Sequence, residues 1–249
     1  MTETNSVTRE STPHNTKRSW LMLMVGLVAG LLVGLSLYPY IMPDTAVSAA
    51  AEAPAEAGEN DQPVQKTVSR QGIMEVVVAN ARHFNGDPDA PITLVEFADF
   101  NCGYCGKWAK ETLPRIQEEY IDTGKVRMAY INYPVLGANS VTAAQATECA
   151  ALQDSFWEYH DVLYQNQGIG YTPESLASLA EETGMDRSSF EQCLADFPEQ
   201  AALDNDILLG QTLGIRGTPN FLINGTPITG AFPFEGFQQA IESALASEL

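Results

Sequence analysis

Two cysteines separated by two residues, in the sequence Cys102-Gly103-Tyr104-Cys105, are the side chains of this protein best suited to covalent chemistry. At this spacing, at the start of a helix, both sulfur atoms come within the range in which a disulfide forms. The amino end of a helix offers free N–H groups and a positive potential, which favour a thiolate at Cys102. We therefore predict that Cys102 forms mixed disulfides with a substrate and that Cys105 resolves them.

The segments on either side of the pair predict how it is held. Residues 92–100 form an apolar run typical of a buried strand, and a helical pattern with Trp108, Leu113 and Ile116 on its apolar side follows Cys105. Two thiols between a strand and a helix are typical of a redox centre. The alternatives are a structural disulfide and half of a zinc site.

A zinc site normally needs a second pair of ligands close to the first. The other two cysteines, Cys149 and Cys193, are far apart in the sequence, and none of the three histidines extends a ligand motif. We therefore predict a redox pair with no metal and no cofactor.

One carboxylate, Glu96, interrupts the apolar strand six residues before Cys102. Burying a carboxylate without partners is unfavourable, and it raises the pKa of the group. A carboxyl of this kind could carry protons for Cys105, which makes Glu96 a candidate catalytic residue. The alternative is a strand-edge glutamate that faces solvent.

The rest of the sequence alternates between strand and helix patterns. In order, we predict a strand at 74–79, the redox strand and its helix, a strand at 126–133, a loop at 134–139, a helical block at about 140–213, strands at 220–223 and 227–229, and a helix at 234–249. In the helical block, Cys149, Leu152, Phe156, Tyr159 and Leu163 form one apolar face. Asn224-Gly225 predicts a hairpin between the last two strands. This alternation predicts an α/β fold with a central sheet, into which the helical block is inserted.

Three sequence segments resemble a known family. FADFNCGYC after a strand, and GTPNFLING much later, resemble the thioredoxin superfamily, while FWEYHDVLY (residues 156–164) and the long helical block resemble its DsbA-like branch. The likeness is strongest to the membrane-anchored oxidoreductases of the BdbD type, and it covers about residues 73–249. It implies a thioredoxin-like fold with a helical insert at about 138–213, and an acidic residue at the position of Glu96.

The resemblance also assigns residues that the spacing alone does not. It implies a cis peptide bond at Thr218-Pro219 beside the active cysteines, with the backbone of Thr218 pairing with an extended substrate segment. The alternative is an ordinary trans turn. Gly103 and Tyr104 are candidate substrate-facing residues, and they differ from the Pro-His pair of the best-known DsbA.

Some DsbA-like proteins have a second disulfide inside the helical insert. The resemblance therefore implies a structural disulfide between Cys149 and Cys193. Two buried free thiols are the alternative.

The amino-terminal third of the chain predicts a membrane anchor. Residues 1–18 are polar and end in two basic residues, whereas residues 20–42 carry no charge. At about 1.5 Å per residue, such a helix crosses a hydrocarbon core of roughly 30 Å, with the basic end in the cytoplasm. We predict a cytoplasmic tail at 1–18, one transmembrane helix at 19–42, a flexible linker at 43–71 and a catalytic domain at 72–249. A cleaved signal peptide, with its cleavage site near residue 48, is the alternative, and it also leads out of the cytoplasm.

The net charge of −19 makes a nucleic acid an improbable partner. The predicted function is that of an extracytoplasmic, single-pass membrane enzyme that forms disulfides in exported proteins. The resemblance implies cysteine-containing exported proteins as substrates and a quinone-linked membrane protein as the partner that reoxidises the enzyme. The alternatives are a reductase or isomerase with the same fold, and a chaperone or binding module without redox activity.

Overall fold

The computed structural model describes residues 69–248. The strands are β1 (His83–Asn85), β2 (Ile92–Ala98), β3 (Val126–Asn132), β4 (Asn220–Ile223) and β5 (Thr226–Thr229). The helices are α1 (Arg70–Asn80), α2 (Gly103–Glu111), α3 (Leu113–Ile116), α4 (Ala138–Ala151), α5 (Phe156–Gln165), α6 (Pro173–Glu182), α7 (Arg187–Asp196), α8 (Gln200–Thr212) and α9 (Phe234–Glu248). A π-helical turn over Gln117–Ile121 extends α3.

The five strands form one mixed sheet in the order β1-β3-β2-β4-β5. β2 is the central strand, parallel to β3 and antiparallel to β4, and all of its residues are buried. This position explains its nearly unbroken apolar sequence, because a strand covered on both faces has no solvent side on which polar residues could alternate. It also places Glu96 in the middle of the sheet, opposite Tyr130 on β3.

Helices cover both faces of the sheet. On one face, Trp108 of α2 packs against Phe221 of β4 and Phe237 of α9, with ring centroids 4.6 and 5.4 Å apart. On the other face, residues of α1 and α8 pack against β2 and β3. Helices α4 to α8 lie between β3 and β4 in the chain and form a second core, to which Cys102 and Cys105 also belong. The fold is therefore mixed α/β and thioredoxin-like, with a helical insertion.

Several predicted elements are confirmed. Strand β4 has the predicted bounds, and the hairpin turn is made by Asn224 and Gly225, both in the left-handed region with φ of 43° and 82°. Helix α6 begins at a threonine–proline pair, which is typical of a helix start: the Thr172 side chain accepts a hydrogen bond from the Ser175 amide, and Pro173 occupies the first turn.

The predicted strand at 74–79 is wrong, because these residues lie in helix α1. Ser69 caps that helix by accepting a hydrogen bond of 3.0 Å from the Gly72 amide. Only one side of helix α1 packs against the sheet. Val77 lies on that side and is buried, whereas Val76 is half exposed. The first strand is instead β1, which pairs antiparallel with β3.

The predicted continuous apolar face from Cys149 to Leu163 is also interrupted. Helix α4 ends before Leu152, whose side chain is 58% exposed, and Asp154 adopts a left-handed conformation with φ of 56°. Helix α5 then starts at Phe156.

The predicted cytoplasmic tail, transmembrane helix and linker lie outside the described residues. Within residues 69–248, no helix has both the length and the apolar character needed to cross a membrane.

Candidate active site

The chain passes directly from β2 into the cysteine pair. Cys102 is the cap residue at the start of α2 and Cys105 lies one turn later. Both are free thiols; 6% of Cys102 is exposed, whereas Cys105 is fully buried. Only Cys102 is therefore open to attack by a second protein.

The surroundings of Cys102 stabilise its thiolate. A hydrogen bond from the Cys105 thiol is the largest cause that lowers the pKa of Cys102. With hydrogen bonds from the Thr218 side chain and from the backbone amides of Cys105 and Tyr104, it brings that pKa to about 5 against the opposing effect of burial. These amides belong to the first turn of α2, where N–H groups have no partner within the helix. Cys102 is therefore ionised at neutral pH.

The surroundings of Cys105 have the opposite effect. Burial raises the pKa of the Cys105 thiol, and the hydrogen bond to Cys102 and the charge of Glu96 raise it further. Burial likewise raises the pKa of Glu96 well above its usual range, with a contribution from the charge of Cys102. Neither carboxyl oxygen of Glu96 has a hydrogen-bond partner among the described residues. A neutral Glu96 coupled to both sulfurs is placed to give up or accept a proton as the pair changes redox state.

The cis-proline loop forms the opposite wall of the site. The Thr218-Pro219 peptide bond is cis, and the Cys102 sulfur lies 3.4 Å from the carbonyl oxygen of Thr218. The loop is held by a hydrogen bond of 2.9 Å from the Gly230 amide to the Pro219 carbonyl. Among the described residues no partner uses the Thr218 N–H group. An extended peptide that brings its own cysteine to Cys102 would find this free backbone group beside it.

The dipeptide between the cysteines lies at the surface. Tyr104 is 70% exposed, and a Cβ atom added to Gly103 would have no neighbour within 4 Å. Both positions are therefore exposed to solvent beside the cysteine pair.

One residue that positions the site was present in the sequence without an assigned role. The buried carboxylate of Asp99 accepts hydrogen bonds from the amides of Asn101, Val135 and Leu136 at 2.8 to 3.1 Å. It thus joins the turn before Cys102 to the loop after β3. In the sequence, only its position directly after the apolar strand could have indicated that Asp99 has a role at the site.

Gln167 is a second positioning residue, and it comes from the helical insert. Its side-chain amide donates hydrogen bonds to the carbonyls of Phe100 at 2.8 Å and Cys102 at 2.9 Å. A Cβ atom at Gly106 would displace the Gln167 side-chain amide, so glycine at that position leaves room for these hydrogen bonds. The Tyr171 hydroxyl lies 3.1 Å from the same Phe100 carbonyl. No local sequence pattern marks Gln167 or Tyr171, because their partners are more than sixty residues away.

The other two cysteines form a disulfide. Cys149 of α4 and Cys193 of α7 are bonded, with Cα atoms 5.8 Å apart. The bridge closes a loop within the helical insert across 44 positions of sequence. In the chain-entropy model a loop of this size stabilises the folded state by about 3–4 kcal/mol. Within residues 69–248, no group of three or more His, Cys, Asp or Glu side chains could hold a metal ion.

An accessible thiolate at a helix start, with a buried second thiol behind it, defines a thiol:disulfide oxidoreductase. Comparison with known proteins agrees with this class. The thioredoxin family model matches residues 78–243. "Probable disulfide bond formation protein D" of Bacillus cereus is 36% identical over 170 residues, which are 64% of this chain and 77% of that protein. The oxidised crystal structure of BdbD from Bacillus subtilis is 28% identical, with a TM-score of 0.64, and covers 68% of this chain and 95% of that one.

The chain therefore belongs to the thioredoxin superfamily, in its DsbA-like branch. A different kind of relative, "Na(+)/H(+) antiporter NhaA 3" of Salinispora tropica, is 33% identical over 71% of this chain but only 27% of the antiporter. Because the shared part is so small a portion of that protein, its name describes no property of this chain.

Proposed function

We propose that the protein forms disulfides in exported proteins. A substrate thiolate attacks the Cys102 sulfur of the oxidised Cys102–Cys105 pair, and Cys105 leaves as a thiolate that takes up a proton. A second substrate thiolate then attacks the substrate sulfur of the mixed disulfide, and Cys102 leaves. The substrate loses two electrons and two protons overall, and the enzyme pair gains the two electrons.

The observation that carries this proposal is the stabilised thiolate of Cys102. A thiol with a pKa of about 5 is a good leaving group, so the last step is fast, and the reduced enzyme is favoured over the oxidised one. Glu96 is placed to supply the proton that Cys105 takes up, because burial favours the neutral form of both groups. The names of the Bacillus relatives, which are disulfide bond formation proteins, support the same direction of electron flow.

The proposed location is outside the cytoplasm, on a single membrane helix at 19–42, with a quinone-linked membrane protein as the oxidant that restores the Cys102–Cys105 disulfide. The charge-free segment with its basic flank supports the helix, and the Cys149–Cys193 disulfide suits an oxidising compartment. Protease added to intact cells should remove the catalytic domain. A domain that is degraded only after the membrane is opened would contradict this location.

The reduction potential of the pair is the decisive measurement for the proposed activity. Equilibrating the purified full chain with glutathione, and trapping the thiols, should give a value well above that of thioredoxin, at about −270 mV, and closer to about −120 mV. A value at or below −270 mV would favour the reductase alternative. As a second arm, Cys105→Ala should accumulate mixed disulfides with exported proteins through Cys102, and Cys102→Ala with Cys105 retained should accumulate none.

A further inference from the structure

A groove of about 820 Å³ runs from the cis-proline loop along β4 and β5 to the start of α1. Thr218 and Pro219 form its end next to Cys102, and Gly225 of the β4–β5 turn and Arg70 form the other end. Strand β4, which lies between these ends, has four residues and is roughly 13 Å long at about 3.3 Å per residue. An extended peptide of about four residues would lie along it.

The lining of the groove combines apolar side chains with two arginines. Ile73, Leu213 and Ile215 are partly buried and give it an apolar wall. Arg216 lies two residues before Thr218, and Arg70 lies near the hairpin, where it donates a hydrogen bond of 3.3 Å to the Thr226 hydroxyl. The two positive charges thus stand near opposite ends of the groove.

These two arginines differ from most of the other arginines in the described part of this acidic protein. Arg82, Arg115 and Arg187 each pair with two or more carboxylates. Neither Arg70 nor Arg216 forms a salt bridge with any residue of the described part of the chain, although acids outnumber bases 32 to 13 in the sequence. A positive groove next to the reactive sulfur is therefore an exception to the overall negative field.

We propose that this groove binds the substrate segment that flanks the reacting cysteine, and that Arg216 and Arg70 select segments with acidic side chains. The inference rests on the proposed function, since it concerns the substrates of the same thiol exchange. The segment would lie extended, with its backbone against Thr218 and its apolar side chains on Ile73, Leu213 and Ile215. Acidic side chains near the cysteine would reach Arg216, and those several residues away would reach Arg70.

The test uses three reduced peptides that each contain two cysteines and differ only at the positions flanking the first one, which hold Glu, Gln or Lys. Their oxidation by the oxidised full chain is measured, and each rate constant is divided by that of the same peptide with glutathione disulfide, which corrects for the reactivity of the peptide thiol. Wild type is compared with Arg70→Gln/Arg216→Gln. Lys125→Gln is the matched control, because it removes a positive charge that does not line the groove.

Wild type and Lys125→Gln should prefer the Glu peptide over the Gln peptide about three- to tenfold, and the Lys peptide should be slowest. The preference should fall towards one in the double variant, and in wild type at 0.5 M salt. Reduction of Lys125→Gln by dithiothreitol should equal that of wild type, because Lys125 does not line the groove.

Equal corrected rates for all three peptides with wild type would overturn the inference and leave the oxidase activity intact. Oxidation of none of them would instead count against the proposed function. Faster oxidation of all three peptides by the double variant would mean that the groove is occupied by an acidic segment of the chain itself, which also overturns substrate selection.

Discussion

Cys102 and Cys105 show how strongly position decides the chemistry of one residue type. Cys102 sits at the cap of α2, where unpaired amides point at its sulfur, and its pKa falls to about 5. Cys105 has its side chain buried in the core, so its pKa rises. The proton shared between the two sulfurs therefore remains on Cys105, which prepares Cys102 to leave or to attack.

The first prediction concerns the hydrogen bond between these sulfurs. In the reduced protein, the alkylation rate of Cys102 by iodoacetamide should rise with a midpoint near pH 5, because only the thiolate reacts. Cys105→Ala removes the donor and should move the midpoint up by one unit or more, whereas Cys105→Ser retains a donor and should keep it low. Mass spectrometry of the alkylated peptide measures the rate at each pH. The same midpoint in the Ala and Ser variants would contradict this role of Cys105.

The second prediction concerns Glu96. Because its folded-state pKa lies above the unfolded value of about 4.5, the buried carboxyl is tolerated at acid pH, and stability is lost as the pH rises above that value. Glu96→Gln should therefore be more stable than wild type at pH 7 by about 1–3 kcal/mol, with the difference vanishing towards pH 4. Urea unfolding of the oxidised proteins from pH 4 to 8 measures the free energies.

The exposed Glu158→Gln is the control for Glu96→Gln and should show no such trend. A constant difference at every pH would mean that Glu96 is ionised in the folded state. Thiol exchange supplies an independent readout. Loss of the proton carrier should slow the step in which Cys105 gains or loses its proton, while the alkylation of Cys102 continues.

At the scale of elements, the first residue of α2, Gly103, can be replaced in a way that stabilises the folded protein. Gly103 is the first residue of the helix, its added Cβ would meet no atom, and no hydrogen bond in the described part of the chain uses its N–H group. The preceding residue, Cys102, has φ of −81° and ψ of 117°, which is compatible with a following proline. Gly103→Pro should raise the free energy of unfolding by about 0.4–1 kcal/mol, since proline restricts the unfolded chain.

The pKa of Cys102 should not change in Gly103→Pro, because its backbone donors are the amides of Tyr104 and Cys105. Gly103→Ala is the matched control and separates the effect of a side chain from that of the ring. Thermal unfolding gives the stability and the iodoacetamide profile gives the pKa. A Gly103→Pro protein that is less stable than Gly103→Ala by more than 1 kcal/mol would show that the Gly103 amide is needed.

The elements that could be predicted from sequence are those whose signals are local. The apolar run of β2, the cap at Thr172 and the Asn224-Gly225 turn each specify their own conformation. The sequence of helix α1 does not distinguish a helix from a strand, because its valines suit both. The packing of Val77 against the sheet, which no local pattern shows, favours the helix. The residues that position the site could not be predicted, because their partners are distant in the sequence. Gln167, for example, donates a hydrogen bond to the Cys102 carbonyl across 65 positions.

At the scale of the whole molecule, a buried charge cluster joins the sheet to the helical insert. Arg82, between α1 and β1, donates two hydrogen bonds of 2.8 and 2.9 Å to Asp206 of α8 and one of 2.9 Å to Glu148 of α4. His83 and Asn132 also contact Glu148, at 3.0 and 2.8 Å. Although burial opposes ionisation, the contacts with His83 and Arg82 hold the pKa of Glu148 at about 2. Two carboxylates that are nearly inaccessible to solvent thus link the helical insert to the rest of the fold.

Removing the shared cation should separate these two parts of the fold. Arg82→Met leaves Glu148 and Asp206 buried without their guanidinium, so unfolding should become easier by about 3–5 kcal/mol at pH 8. Burial already raises the pKa of Asp206 to about 6 although Arg82 opposes this, and losing the guanidinium raises that pKa further above the unfolded value. Such a group stabilises the fold only below its unfolded pKa and loses this contribution as pH rises. The loss should therefore be clearly smaller at pH 5 than at pH 8 in urea unfolding. Arg127→Met is the matched control, because Arg127 binds Thr93 and Pro88 but no carboxylate of residues 69–248, and its smaller loss should not vary with pH. Equal losses for Arg82→Met at both pH values would show that Arg82 acts through packing of its side chain rather than through its charge.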